Sequence, residues 1–235
     1  MLGPKNRENG SPAALIHPPQ RPLVRVVDDE PSIQHLFAKM ADLGGFECAP
    51  SLLAQDLLDT LDETRPGCIV VDLVLPDRTG LELLQELSNR GCKLPVVFMS
   101  GMARVAEAVR ALKLGSIDFL EKPFELQAML EAVRRAIELD RQERQAGNER
   151  QDVEHRFESL TPRECEVMEE IVRGAANKEV AAKLGLSPKT VEVHRANVMR
   201  KTRARSLAEL VRLHVHVHSG TRGRSRQPAP ASSQS

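Results

Sequence analysis

CIVVDLVLPDRTGLELL (68–84) reads as a strand buried on both faces, followed by a loop and a helix. Four apolar residues, three of them β-branched, run without interruption into Asp72. Residues 73–79 then form a loop containing Pro76, and Gly80 opens an amphipathic segment over 80–89. Three more short apolar runs behave alike. LVRVV (23–27) ends on Asp28-Asp29, VVFM (96–99) on Ser100, and IDFLE (117–121) on Lys122-Pro123. A further strand near 46–49, and helices over 32–43 (opened by Pro31), 52–62 and 104–114, complete five β–α units. Such alternation predicts a parallel sheet covered by helices. In these sheets the ligand crevice lies outside the carboxyl ends of the strands. Two acids, a lone carboxylate, a hydroxyl and an ammonium are therefore expected on one rim.

The 235 residues suffice for two domains. The 33 basic and 33 acidic residues cancel, but the cancellation hides an asymmetry. Residues 21–125 carry 11 Lys+Arg against 17 Asp+Glu, a net of −6, whereas 183–226 carry 11 against 2, a net of +9. An acidic half joined to a basic half suggests a cation-binding module followed by a polyanion-binding one; solvated charged faces give the same totals. Cys48, Cys68, Cys92 and Cys165 form no CxxC pair and read as reduced thiols rather than disulfides or metal ligands. No apolar stretch approaches the ~20 residues a bilayer demands, and the N-terminus lacks the apolar core of a signal peptide. A cytoplasmic protein with no membrane partner is expected.

Residues 1–20 and the Arg-, Ser- and Pro-rich tail from 219 lack periodicity and are expected to be disordered. Leu126, Met129, Leu130, Val133 and Ile137 form one apolar stripe at helical spacing, so the first domain is expected over 21–138. Residues 139–156 read as a charged linker, with prolongation of that helix left open. Thr161-Pro162-Arg163-Glu164 then combines a capping box with proline at the first helical position, and Gly174 stops that helix. Asn177 is expected to cap a helix over 178–184, which Gly185 ends. Ser187-Pro188 starts another, reaching about Lys201, and Ser206 with Glu209 forms one more capping box. Two helices joined by LGLS (184–187) make a helix-turn-helix, so 157–218 is expected to be an all-α domain.

Carboxylates clustered at strand ends repel unless a hard divalent cation neutralises them, and Mg²⁺ prefers such oxygen ligands. One carboxylate can then attack a phosphoryl donor to give an aspartyl phosphate, with a lysine and a hydroxyl meeting the phosphoryl oxygens. Asp72, alone at its strand end, is the expected nucleophile, and Asp77 the weaker candidate. Taken singly, a strand-end Asp, a Ser-Gly and a Lys-Pro each have a plain turn or surface reading. Their occurrence at successive strand ends is what favours chemistry.

VDDE (27–30), VVDLVLPDRTGLELL (70–84), MSG (99–101) and DFLEKPF (118–124) make the chain resemble a two-component response regulator. Residues 23–125 resemble its receiver domain and 158–213 a LuxR-type helix-turn-helix, with the likeness pointing to the FixJ branch. Spacings of 43, 28 and 22 positions from Asp29 through Asp72 and Ser100 to Lys122 agree. The resemblance implies a doubly wound, flavodoxin-like α/β sheet of five parallel strands, with Mg²⁺ as cofactor. It implies no enzymatic activity beyond the receiver's own phosphorylation and dephosphorylation. Asp72 would be the phospho-acceptor, taking its group from a sensor histidine kinase. Asp29 would bind Mg²⁺ with Asp72 and the backbone carbonyl of Val74, and Asp28 would help through water. Lys122 would pair with the phosphoryl group, while Ser100 would swing toward it and let Phe119 turn inward as a switch. On its own Phe119 reads as a plain core aromatic; only its place three residues before Lys122 in the family pattern raises the switch reading beside it. Phosphorylation would drive homodimerisation through the last helix–strand face, with double-stranded DNA and RNA polymerase as further partners.

KTVEVHRANVMRK (189–201) is the candidate recognition helix. Its first turns present Lys189, Thr190, Glu192, Val193, Arg195 and Ala196, and helices of this type insert their N-terminal part into the major groove. The resemblance makes Glu192, Val193 and Ala196 base-facing positions. Glu192 could accept from cytosine, or pair in solvent with Arg195 or Lys189. Arg200, Lys201, Arg203 and Arg205 suit phosphate contacts, and Asn177, Lys178 and Ser187 join the interface. His194 reads as a packing or phosphate-contacting residue. His214, His216 and His218 alternate with valine; without a further ligand nearby they read as an irregular tail rather than a metal site.

Three rivals are weaker. A phosphatase with an aspartate nucleophile needs an acid two residues on, where Val74 stands. A small-molecule-sensing LuxR-type activator leaves the acidic residues unexplained, and aromatics are only 3% of the chain. A phosphorylation-independent DNA-binding regulator with a vestigial receiver conflicts with the complete set of acceptor-site residues.

Overall fold

The computed structural model describes residues 20–101 and 105–219. The chain alternates β1 (Leu23–Val27), α1 (Pro31–Gly44), β2 (Glu47–Ser51), α2 (Ala54–Thr60), β3 (Gly67–Asp72), α3 (Gly80–Asn89), β4 (Val96–Ser100), α4 (Val105–Lys113) and β5 (Asp118–Glu121). It continues into α5 (Leu126–Glu158). All strand pairings are parallel, in the order β2-β1-β3-β4-β5. The order reverses between β1 and β3, which is the doubly wound, flavodoxin-like arrangement expected from the sequence.

The strand pattern explains how the layers form. Every residue of β3 is buried. Successive side chains point to opposite faces, so Cys68 and Val70 pack with Phe37, Met40, Met129 and Val133 from α1 and α5. Ile69 and Val71 pack with Leu57, Leu83, Leu87 and Phe98 on the α2–α3 side. Each such Leu or Phe contributes about 1.5–3 kcal/mol by leaving water. The four cysteines are free, and burial pushes the Cys68 thiol up to about 12 and that of Cys48 to about 11.

Gly67 lets β3 begin against β1. Its φ is 154°, and a Cβ there would fall 1.9 Å from the Leu23 carbonyl oxygen. Its amide donates to Asp140 Oδ2 at 2.9 Å, and Asp140 is buried on α5. Packing of the first unit therefore extends past position 138. The charged stretch 139–156 is helical throughout, since α5 runs unbroken to Glu158. The expected N-terminal extension and the tail beyond 219 lie outside the described residues.

The second unit contains α6 (Pro162–Val172), α7 (Asn177–Leu184), α8 (Pro188–Thr202) and α9 (Leu207–Ser219). Thr161 and Glu164 form the expected capping box: Thr161 Oγ1 accepts the Glu164 amide, and Glu164 accepts the Thr161 amide at 2.8 Å. Val167, Ile171, Val180, Val191, Val198 and Leu210 form the core.

Two sequence readings need correction here. Asn177 does not cap α7; Ala176 holds the cap position, and Glu179 reaches back to its amide at 2.8 Å. Asn177 is the first helical residue, which leaves its side chain for another partner. The His–Val run is not an irregular tail but part of α9. Ser206 accepts the Glu209 amide at 3.1 Å, Leu210 seals against the core, and the helix thus started carries through the histidines. Among the described residues no helix is long and apolar enough to cross a membrane.

Candidate functional site

The acidic pocket is assembled by strand ends. The Asp28 amide donates to Ser51 O at 3.1 Å, continuing the β1–β2 ladder, and its side chain is fully buried. Asp28 Oδ1 in turn accepts the Glu30 amide at 2.8 Å, which folds the chain sharply before Pro31 opens α1. Asp72 closes β3, and its Oδ1 accepts the Val74 amide at 3.0 Å. Gly80 is required just beyond, because a Cβ there would lie 2.5 Å from the Asp72 carbonyl oxygen and 2.8 Å from the Phe98 ring. The Lys122 amide donates to Ser100 O at 2.7 Å, which brings the lysine to the same rim.

Lys122 Nζ donates to Asp72 Oδ2 at 2.6 Å, to Asp28 Oδ2 at 2.7 Å and to Glu30 Oε1 at 2.9 Å. Burial alone would pull the Lys122 ammonium down, but the hydrogen bonds to Asp28, Asp72 and Glu30 reverse this and leave its pKa above the ordinary lysine value. Burial pushes the Asp28 carboxyl up, against the opposing bonds from Lys122 and the Glu30 amide.

Asp28, Asp72 and Lys122 thus meet as expected. Ser100 is buried at the end of β4, one strand over. Phe119 is half-buried on β5, with its ring 6.5 Å from that of Phe98 and tilted by 33°. Val74, whose carbonyl was a suggested metal ligand, bridges to Thr79 and is 67% exposed. Asp29 is exposed and falls outside the pocket's carboxylate group, whose third member is Glu30. Sequence reasoning missed Glu30, although the third acid of VDDE was the available signal. Asp77, the weaker nucleophile candidate, is committed elsewhere. Its carboxylate accepts the Ala54 amide at 3.1 Å and the Gln55 amide at 3.0 Å, capping α2 from the loop after β3.

One oxygen each from Asp28, Glu30 and Asp72 lies within 4.8 Å of the other two. Three hard oxygen donors converging at that spacing fit a magnesium ion, and Lys122 is the only described cation hydrogen-bonded to all three.

The helix-turn-helix is built on Gly185, whose φ of 65° lets the chain leave α7. Ser187 Oγ accepts the Thr190 amide at 3.0 Å and starts α8. Val191, Val198 and Thr202 face the core. Lys189, Glu192, Val193, Ala196 and Arg200 share the exposed side, with Lys178 exposed on α7 and Thr190 half-buried. Val193 leaves 56% of its surface in water, a cost that a partner surface would recover. Arg195 Nη1 donates to Asn177 Oδ1 at 3.2 Å, tying the two helices together. Among the described residues Glu192 forms no ion pair with Arg195 or Lys189. His194 is half-buried, and its Nδ1 has no hydrogen-bond partner. Lys201, expected at phosphates, is turned inward instead: its ammonium donates to Glu164 Oε2 at 2.6 Å and to Ser159 O at 3.0 Å.

Comparison with known proteins agrees with both halves. Residues 24–134 match the response regulator receiver domain, and residues 158–214 match the luxR family of bacterial regulatory proteins. The transcriptional regulatory protein FixJ of Azorhizobium caulinodans is 42% identical over 190 residues, covering 81% of this chain and 90% of that protein. FixJ of Rhizobium meliloti is 39% identical with 81% and 93% covered. Among solved structures, the response regulator StyR superposes with a TM-score of 0.76 at 38% identity, covering 83% of this chain and 98% of StyR. Full-length FixJ from B. japonicum gives 0.52 at 36% identity, with 85% and 98% covered.

Proposed function

The chain belongs to the two-component response regulators that join a receiver domain to a LuxR-type DNA-binding domain, and from that premise we propose that Asp72 is its phospho-acceptor. One observation carries the reading: Asp28 and Asp72 share a single ammonium, Lys122, at the carboxyl rim of the sheet. A carboxylate oxygen of Asp72 attacks the phosphorus of a phosphohistidine on a sensor histidine kinase. The P–N bond breaks, and the imidazole leaves with the electron pair. Lys122 is placed to follow the new phosphoryl oxygens, whose negative charge replaces the one that Asp72 gives up on becoming an acyl phosphate.

Asp28, Glu30 and Asp72 would hold Mg²⁺, with Asp29 and the Val74 carbonyl as further ligands. A bound Mg²⁺ supplies neutralisation of phosphoryl oxygen charge during transfer. The receiver accordingly catalyses its own phosphorylation and dephosphorylation. Ser100 hydrogen-bonds the phosphoryl group, and Phe119 turns inward in response. This shifts a two-state population that dimerises the chain through its β5–α5 face. Two α8 helices then engage paired half-sites of double-stranded DNA. Glu192, Val193 and Ala196 face bases; Lys178, Lys189 and Arg200 face phosphates; RNA polymerase is the downstream partner.

The test is acetyl phosphate with Mg²⁺ on wild type and Asp72→Asn, read by intact mass. Wild type gains one phosphoryl unit and the variant none; equal gain in both overturns the assignment. DNA binding read at two salt concentrations tests the output half, where indifference to salt contradicts the phosphate contacts.

A further inference from the structure

His214 and His218 belong to neither site above, and the proposed function makes no use of them. They stand one turn apart on α9, the spacing that puts two side chains on one helix face. Their rings stack with centroids 4.1 Å apart and an interplanar angle of 26°. His218 Nδ1 lies 2.9 Å from the His214 carbonyl oxygen. A carbonyl only accepts, so Nδ1 carries a proton there, which makes Nε2 the nitrogen through which this ring would bind a metal. Phe157 holds the other ring, 6.4 Å from His214 centroid to centroid. Burial, together with neighbouring His218, draws His214 below the ordinary histidine pKa and favours the neutral, ligating form. The charges facing the pair from α6 are Glu169 and Arg173, which bond each other at 3.2 Å and so largely offset.

We propose that His214 and His218 form a two-imidazole site for a first-row divalent cation of the Zn²⁺, Ni²⁺ or Cu²⁺ class, the His214 ring turning out of the stack so that both Nε2 atoms face one ion. Imidazole nitrogen suits these ions, whereas Mg²⁺ takes oxygen and goes to the carboxylate pocket. An Nδ1–H bonded to a backbone carbonyl is the support that ligating histidines ordinarily have, and here it is in place beforehand. His216 is excluded from the site, because two helical positions turn it about 200° round the axis. Water completes the coordination of an ion held by two side chains.

Copper(II) titration of the full-length protein, with Mg²⁺ present to occupy the carboxylates, reads the site through visible absorption and calorimetry. Wild type takes up one more equivalent than His214→Ala/His218→Ala, which retains every other histidine as background. Each single variant, including His214→Gln to preserve packing against Phe157, weakens binding by at least the ~10-fold typical of losing an outer-shell partner. His216→Ala leaves it unchanged. Equal uptake by wild type and the double variant, with helicity intact by circular dichroism, overturns the proposal. So does loss of the equivalent in His216→Ala alone.

Discussion

Lys122 Nζ lies 2.6 Å from Asp72 Oδ2, although 50 positions separate the two residues in sequence. The same ammonium answers Asp28, whose side chain is wholly buried. Lys122→Met strands both carboxylates, and breaking such a pair costs about 3–5 kcal/mol at pH 7. The pH dependence follows from two raised pKa values. Asp28 has a folded pKa above its unfolded one, so its charge costs stability at neutral pH, and that cost fades as pH falls and the carboxyl is protonated. The Lys122 contribution is complete below the ordinary value of 10.5 and is lost only as pH rises through the higher folded value. The deficit of Lys122→Met is therefore expected to shrink between pH 7 and the carboxylate range, and to shrink at pH 7 on adding Mg²⁺. Urea denaturation at two pH values, with and without Mg²⁺, measures both; a pH-independent deficit contradicts the account.

Asp77 ties the loop after β3 to the start of α2. Asp77→Ala is expected to lose about 0.5–2 kcal/mol, the range for removing a helix cap. Slight desolvation raises this carboxyl, but the Ala54 and Gln55 amides outweigh it and hold its pKa below 3.8. Its contribution is thus present above that value and lost as pH falls through the lower folded one. Thermal melts should separate wild type and variant at pH 6 and converge in strong acid.

The buried Asp140–Gly67 contact joins α5 to the base of β3. Asp140→Ala leaves the Gly67 amide without its partner, an expected loss of about 1–3 kcal/mol. Hydrogen exchange at the Gly67 amide should accelerate more than at amides in the middle of β3. Unchanged exchange there would mean that the contact carries no stability.

Lys201 and Arg200 are adjacent basic residues with opposite commitments. The Lys201 hydrogen bond, more than any other contact, holds Glu164 down to about 2, so that stability is present above the ordinary 4.5 and lost as pH falls through about 2. Lys201→Ala should therefore cost about 1.5–3 kcal/mol near neutral pH, the range for a charged hydrogen bond. Arg200→Ala should leave the melting curve in place and lower the salt slope of DNA binding by about 1. Fluorescence anisotropy at several salt concentrations, beside thermal melts, distinguishes the two.

Much of this protein was legible locally. Largely apolar runs of four or five residues, each ending on a polar side chain, foretold β1, β3, β4 and β5, because the faces of a parallel strand are mostly buried. The exception inside β1, Arg25, is tolerated because its guanidinium donates to the backbone carbonyls of Leu23 and Asp62. Proline and capping-box signals likewise located α6 and α8, since capping is settled within a single turn. The meeting of Asp28, Asp72 and Lys122 was readable too, as strand ends in such a sheet share a rim.

What the chain order alone left open was the choice among neighbours. Asp29 and Glu30 differ by one position in VDDE, yet the turn into α1 brings Glu30 to Lys122 and leaves Asp29 exposed. Asp77 and Lys201 looked available for chemistry until helices distant in sequence claimed them. His214 and His218 became a pair only when α9 proved to reach past them. Local pattern determined where strands and helices form, because burial and capping act within a few residues. Tertiary structure decided which charge answers which, because Coulombic and hydrogen-bond partners are set by the packing of elements far apart along the chain.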